Sequence, residues 1–122
     1  MRRLLLLITI LALTSAAWAG QHHKERYYQE RWCRAHQGKM EAVLPDGSRV
    51  DCLTPTHAVE VDFASKWAEA IGQALFYASM TEKQPGIVLI AGPRDNAQVI
   101  RLFTVIHRWG LPIDVWVVRR GQ

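Results

Sequence analysis

The spacing of apolar and polar positions changes several times along the chain, and each change marks an element. From Lys24 to His36, Tyr28, Trp32 and Ala35 recur at helical spacing while Glu25, Arg26, Glu30, Arg31 and Arg34 take the other faces, which predicts a helix stopped by Gly38. Met40 to Leu44 and Arg49 to Leu53 flank Pro45-Asp46-Gly47-Ser48, where Pro sets φ and Gly permits a positive φ, so the pair reads as a β-hairpin. After Thr54-Pro55-Thr56, the run His57 to Phe63 alternates Val59, Val61 and Phe63 with Ala58, Glu60 and Asp62, a strand with two chemically different faces.

Ser65 to Met80 is a helix with Trp67, Ala70, Ile71, Ala74, Leu75 and Ala78 as its core stripe, ended by Lys83-Gln84-Pro85-Gly86. Ile87 to Ala91 is uninterruptedly apolar, as expected of a strand covered on both faces. Asp95 to Trp109 is a helix carrying Val99, Ile100, Phe103, Val105 and Ile106, closed by Gly110 and Pro112, and Ile113 to Val118 is the last strand. The order αβββαβαβ implies a single α/β domain with a mixed β-sheet, a hairpin first and right-handed crossovers later.

The start of the chain changes this picture. Arg2 and Arg3, an apolar run from Leu4 to Leu13, and Ala17-Trp18-Ala19 form the pattern of a secretory signal peptide cleaved after Ala19, the run being short for a membrane anchor. Residues 1–19 are then processing, residues 20–122 are the folded domain, and the product is periplasmic or secreted with no stable membrane anchor. The whole chain has 15 Lys and Arg against 11 Asp and Glu, a formal charge of +4. Two of those arginines leave with the leader, so the mature domain is nearly balanced, and attraction to phosphate must rest on a local site. In an oxidising compartment the two cysteines, Cys33 and Cys52, are expected to form a disulfide, since a domain of this size buries a modest core and gains from a covalent staple. Their spacing is far from C-x-x-C, which gives no support to a thioredoxin-like redox centre.

Acidic residues occupy strand positions where apolar ones would pack better. Asp51 leaves its strand opposite to Val50 and Cys52, while Glu60 and Asp62, two apart, share a face of the next strand. Three carboxylates on neighbouring strands repel unless a cation, a proton or a basic group compensates. Lys66 opens the following helix, and Glu69, Gln73 and Tyr77 continue a polar stripe beside its core stripe.

These residues resemble the PD-(D/E)XK, or restriction-endonuclease-like, nuclease superfamily. The resemblance covers approximately residues 24 to 91 and is carried by Asp51, Glu60-Val61-Asp62 and Lys66-x6-Gln73-x3-Tyr77. It implies that Asp51 and Glu60 hold Mg²⁺ or Mn²⁺, with the Val61 carbonyl a further ligand. It also implies that a lysine assists the attacking water in hydrolysis of DNA, or less readily RNA. The lysine position of E-x-K is Asp62 here, so the resemblance assigns that role to Lys66, leaves Asp62 to hold Lys66 or a second metal, and gives Gln73 a phosphate or water to position. The alternative is an inactive nuclease-fold module that binds nucleic acid or an envelope protein.

Weaker candidates complete the reading. Glu41 and Glu30 are outer-sphere carboxylates at most. His22 and His23 read as surface, His57 as a turn-capping or partner-contacting residue, and His107 as a residue at the core boundary. Tyr27, Tyr28, Trp32 and Trp67 read as core before they read as base-stacking platforms. Arg94, Arg101, Arg108, Arg119 and Arg120 are available for phosphate contacts on an otherwise solvated edge.

Overall fold

The computed structural model describes residues 23–121, so the expected leader and its cleavage point lie outside the described residues. Those residues form a single small α/β domain: α1 (Glu25–Ala35), β1 (Lys39–Val43), β2 (Arg49–Leu53), β3 (His57–Phe63), a 3-10 turn (Ala64–Lys66), α2 (Trp67–Thr81), β4 (Gln84–Ala91), α3 (Asn96–Trp109) and β5 (Asp114–Arg119). The sheet is mixed, in the order β1-β2-β3-β4-β5, with β1, β2 and β3 antiparallel and β3, β4 and β5 parallel. No helix among the described residues is long and apolar enough to cross a membrane.

Helices cover both faces. On one, Tyr28, Trp32 and Cys33 of α1 pack on Cys52, Val59, Val61, Val88 and Ile90. On the other, Ala70, Ile71 and Ala74 of α2 and Leu102 and Ile106 of α3 pack on Ile87, Leu89 and Ala91. The alternate residues of β4 therefore serve two cores, which is why its sequence has no polar phase. The Cys33–Cys52 disulfide, with Cα atoms 5.6 Å apart, ties α1 to β2. Gly38 exists beneath it because a Cβ there would lie 2.6 Å from Cys33 Sγ and closer still to Cys52 Sγ.

Three local expectations change. The first helix ends at Ala35, and Gln37 rather than Gly38 takes the left-handed conformation (φ 53°) that closes it. β4 starts at Gln84, three residues before the apolar run, because Pro85 pairs only with β3; the ladder to β5 begins at Gly86, so no second neighbour asks Pro85 for an N–H. On α3 the buried stripe runs through Leu102 and Ile106, leaving Ile100 64% exposed, and His107 is exposed rather than at the core boundary.

Candidate functional site

The site lies where the sheet splits. Between β2 and β3 the register pairs Leu53 with Ala58 and Cys52 with Val59, and its continuation would set Asp51 opposite Glu60. The ladder stops there instead. The Asp51 carboxylate Oδ2 accepts the Val61 N–H at 2.8 Å, and the Asp51 carbonyl accepts a hydrogen bond from Gln29 Nε2 of α1 at 2.9 Å. Side chains thus take over backbone partners that the split sets free, as buried peptide groups require. Gln29, 4% exposed, also donates to Glu41 Oε1 at 2.9 Å. Glu41 is held at φ 54°, a left-handed conformation that costs a non-glycine residue on the order of 1 kcal/mol.

Glu60 and Asp62 of β3 are each only 4% exposed. They point away from the α1 core, since their neighbours Val59 and Val61 belong to it. From α2, Gln73 turns its amide nitrogen to Glu60, 2.9 Å from Oε1, 3.1 Å from Oε2 and 3.2 Å from the Tyr77 hydroxyl. That orientation follows from chemistry, because any proton on Glu60 is drawn to the neighbouring Asp51 carboxylate, so towards Gln73 Glu60 accepts and only the amide nitrogen donates.

The carboxyls meet in two pairs, Asp51 with Glu60 and Glu25 with Asp62, each within hydrogen-bonding reach. Two carboxyl groups in contact share a proton or a cation. Burial, then the Asp51 charge and the hydrogen bond to it, with Asp62 and Glu25 beyond, push Glu60 up to about 10. Burial, then the charges of Asp62 and Asp51, push Glu25 up to about 7 against the pull of the Lys66 ammonium. Asp51 is raised by burial against the Val61 N–H, and Asp62 is raised by burial against Lys66 and the Phe63 N–H. Burial and then the Glu60 charge drive the Tyr77 phenol up to about 12, which keeps it neutral.

The structure therefore brings Asp51, Glu60, Asp62 and Gln73 together, with Lys66 exposed at the rim and acting on Asp62 and Glu25. Glu41 joins them through Gln29. Glu30 does not: it is exposed and paired with Arg34 at 2.8 Å. His23 stacks on Tyr27 with ring centroids 3.8 Å apart, and His22 lies outside the described residues. Among the described residues no three His, Cys, Asp or Glu side chains are grouped to hold a metal ion as they stand. Arg94 and Arg120 line a cavity of about 530 Å³ beyond β4, and the Arg120 guanidinium lies 4.7 Å over the ring of Phe63, next in sequence to Asp62.

Glu25 and Gln29 are the site residues that reading the sequence misses. Their signal is present in the spacing. Residues 25, 29 and 33 form one helical stripe ending in the buried Cys33, so a glutamine and a glutamate on it must meet polar partners. Comparison of the chain with protein-family models, with curated proteins and with solved structures returns no match.

Proposed function

We propose that the protein is an exported, divalent-metal-dependent nuclease with a restriction-endonuclease-like core, hydrolysing phosphodiester bonds in DNA, with RNA the less favoured substrate. The observation that carries this reading is the convergence of Asp51 and Glu60 at the β2–β3 split, with Gln73 on Glu60 and Lys66 at the start of the next helix. The element order supports it as well: α1 over an antiparallel three-stranded unit, then a helical crossover to a parallel strand. The disulfide fits an exported protein.

The donor set suits Mg²⁺ or Mn²⁺. Hard carboxylate oxygens are what these ions take, and the paired carboxyls cannot all ionise without added positive charge. Asp51 and Glu60 would hold the ion, with the Val61 carbonyl as a further ligand. A bound ion supplies neutralisation of the scissile phosphate and a water acidic enough to attack near neutral pH. The remaining work falls to the chain. Gln73 fixes the Glu60 carboxyl, Gln29 fixes the strand that carries Asp51, and Lys66, exposed at the rim within the electrostatic reach of Asp62 and Glu25, orients the attacking water or meets developing negative charge. Arg94 and Arg120, which line a cavity beyond β4, offer phosphate contacts to a longer substrate.

One observation favours a second reading, an inactive fold that binds nucleic acid or an envelope partner: Asp62 stands where E-x-K nucleases have lysine. Oxidised mature protein incubated with linear duplex DNA, single-stranded DNA and RNA, with Mg²⁺ or Mn²⁺ and then with chelator, separates the two. Metal-dependent cleavage lost in Asp51→Ala and Glu60→Ala supports the nuclease. Binding without cleavage under every metal supports the second reading.

A further inference from the structure

At the other end of β3, on the opposite face of the sheet from Glu60, lies a cavity of about 300 Å³ between the end of α1, the β2–β3 turn and β5. Its walls are aromatic. The Trp32 and His36 rings stack with centroids 3.8 Å apart, Trp116 tilts against Trp32 at 5.0 Å, and His57 meets Trp116 edge-on at 5.2 Å. Gly86 of β4 makes room for this arrangement, because a Cβ there would lie 2.9 Å from Trp116 Cζ3 and 3.5 Å from His57 Cδ2.

The polar groups are few and ordered. His57 is fixed through both ring nitrogens, Nε2 to Asp114 Oδ2 and Nδ1 to Thr56 Oγ1, each at 2.7 Å. His36 is fixed through Nδ1 on the Trp32 carbonyl at 2.7 Å. Gln37 is different: it lines the cavity, is exposed, and its amide makes only a marginal contact of 3.5 Å with the Ala35 carbonyl. It also occupies the left-handed position (φ 53°) where glycine is the unstrained choice. The left-handed conformation belongs to the end of α1, and its consequence here is that it sets a weakly engaged carboxamide at the cavity rim.

We infer that this cavity binds an uncharged planar heteroaromatic ring, a nucleobase, stacked on Trp116 and hydrogen-bonded at its edge by Gln37. Aromatic rings on several walls suit a flat π-system. A carboxamide donates and accepts at once and so matches a base edge bidentately. No lysine, arginine, aspartate or glutamate lines the cavity, so any phosphate on the ligand stays outside it. About 300 Å³ admits one nucleoside-sized group. Along β3 the three steps from His57 to Glu60 place this pocket about 10 Å from the carboxyls. It is a separate site and does not rest on the nuclease reading.

Full-length mature protein is titrated with adenosine, cytidine, the matching mononucleotides, a tetranucleotide and methyl glucoside, and the Trp116 indole N–H and Gln37 amide resonances are followed by NMR. Nucleosides are expected to shift both, saturably, with a dissociation constant on the order of 0.1–1 mM. Gln37→Ala and Trp116→Leu should each weaken this at least tenfold, while Asp51→Ala leaves it unchanged. A tetranucleotide binding more tightly than the nucleoside identifies the ligand as a strand end, and equal affinity identifies it as a free nucleoside. Absence of shifts at about 10 mM nucleoside, or equal shifts with methyl glucoside, overturns the assignment. Nucleoside binding without any nuclease activity would leave this site standing while the function proposed above falls.

Discussion

Replacing Glu60 by glutamine should stabilise the protein while removing the proposed nuclease activity. Glu60 rises from 4.5 to about 10 in the fold, so between those values the folded chain binds a proton that the unfolded chain does not. Stability from such a group is fully present below pH 4.5 and falls as pH rises toward the folded value, by about 1.4 kcal/mol per pH unit. At pH 8 the cost reaches a ceiling of about 5 kcal/mol, of which relaxation and water access leave on the order of 2–4 kcal/mol. Glutamine reproduces the protonated acid: its N–H donates to Asp51 and its oxygen accepts from Gln73. In metal-free buffer Glu60→Gln should raise the Tm at pH 8 by at least about 8 °C, and the gain should vanish near pH 4.5. Thermal melts followed by circular dichroism from pH 4.5 to 9 measure this directly. A destabilised variant at pH 8, or a gain that does not change with pH, refutes the idea that Glu60 carries a proton next to Asp51.

Other outcomes follow from the same geometry. Because cations and protons compete for the same carboxyls, Mn²⁺ should raise the Tm more at pH 8 than at pH 5.5, with the difference lost in Asp51→Asn. Lys66→Met should lower the cleavage rate by about 10²–10⁴ without unfolding the protein, since Lys66 is exposed; circular dichroism and a single-turnover assay separate the two effects. The double variant Cys33→Ala/Cys52→Ala, opening a crosslink of sequence separation 19, should lose about 3 kcal/mol in urea unfolding. Gly38→Ala should destabilise the disulfide-bonded protein markedly and the double variant far less, because the obstruction is the sulfur pair. Gln29→Leu should cost about 1–3 kcal/mol by leaving the Asp51 carbonyl and Glu41 without their partner.

The element order and the doubly covered β4 were legible in the sequence because each rests on local periodicity, and the disulfide because two cysteines behind a secretory-type leader pattern have few alternatives. The grouping of Asp51, Glu60, Asp62 and Gln73 was legible too, since strand alternation and helical spacing fix which residues share a face. What periodicity does not encode is a strand that leaves its ladder. The split after Cys52 and Val59 turns Asp51 into a cap for the Val61 N–H and draws Gln29 and Glu25 from α1 into the centre, and these are tertiary outcomes. The left-handed conformations of Gln37 and Glu41 are invisible for the same reason: neither is a glycine, so no residue type announces them. Pro85 misleads in the other direction, because proline is read as a strand breaker unless its missing partner is known.

The central claim, that the carboxyl cluster at the β2–β3 split drives phosphodiester hydrolysis with a divalent cation, is tested most directly by one comparison. End-labelled DNA is incubated with wild type and with Glu60→Gln, the variant whose fold the melts certify, across a Mn²⁺ titration at pH 8. Cleavage by wild type should require the cation, and Glu60→Gln should cleave at a rate at least about a hundredfold lower. Equal rates for the two proteins, or intact DNA with wild type at every cation concentration, would contradict it.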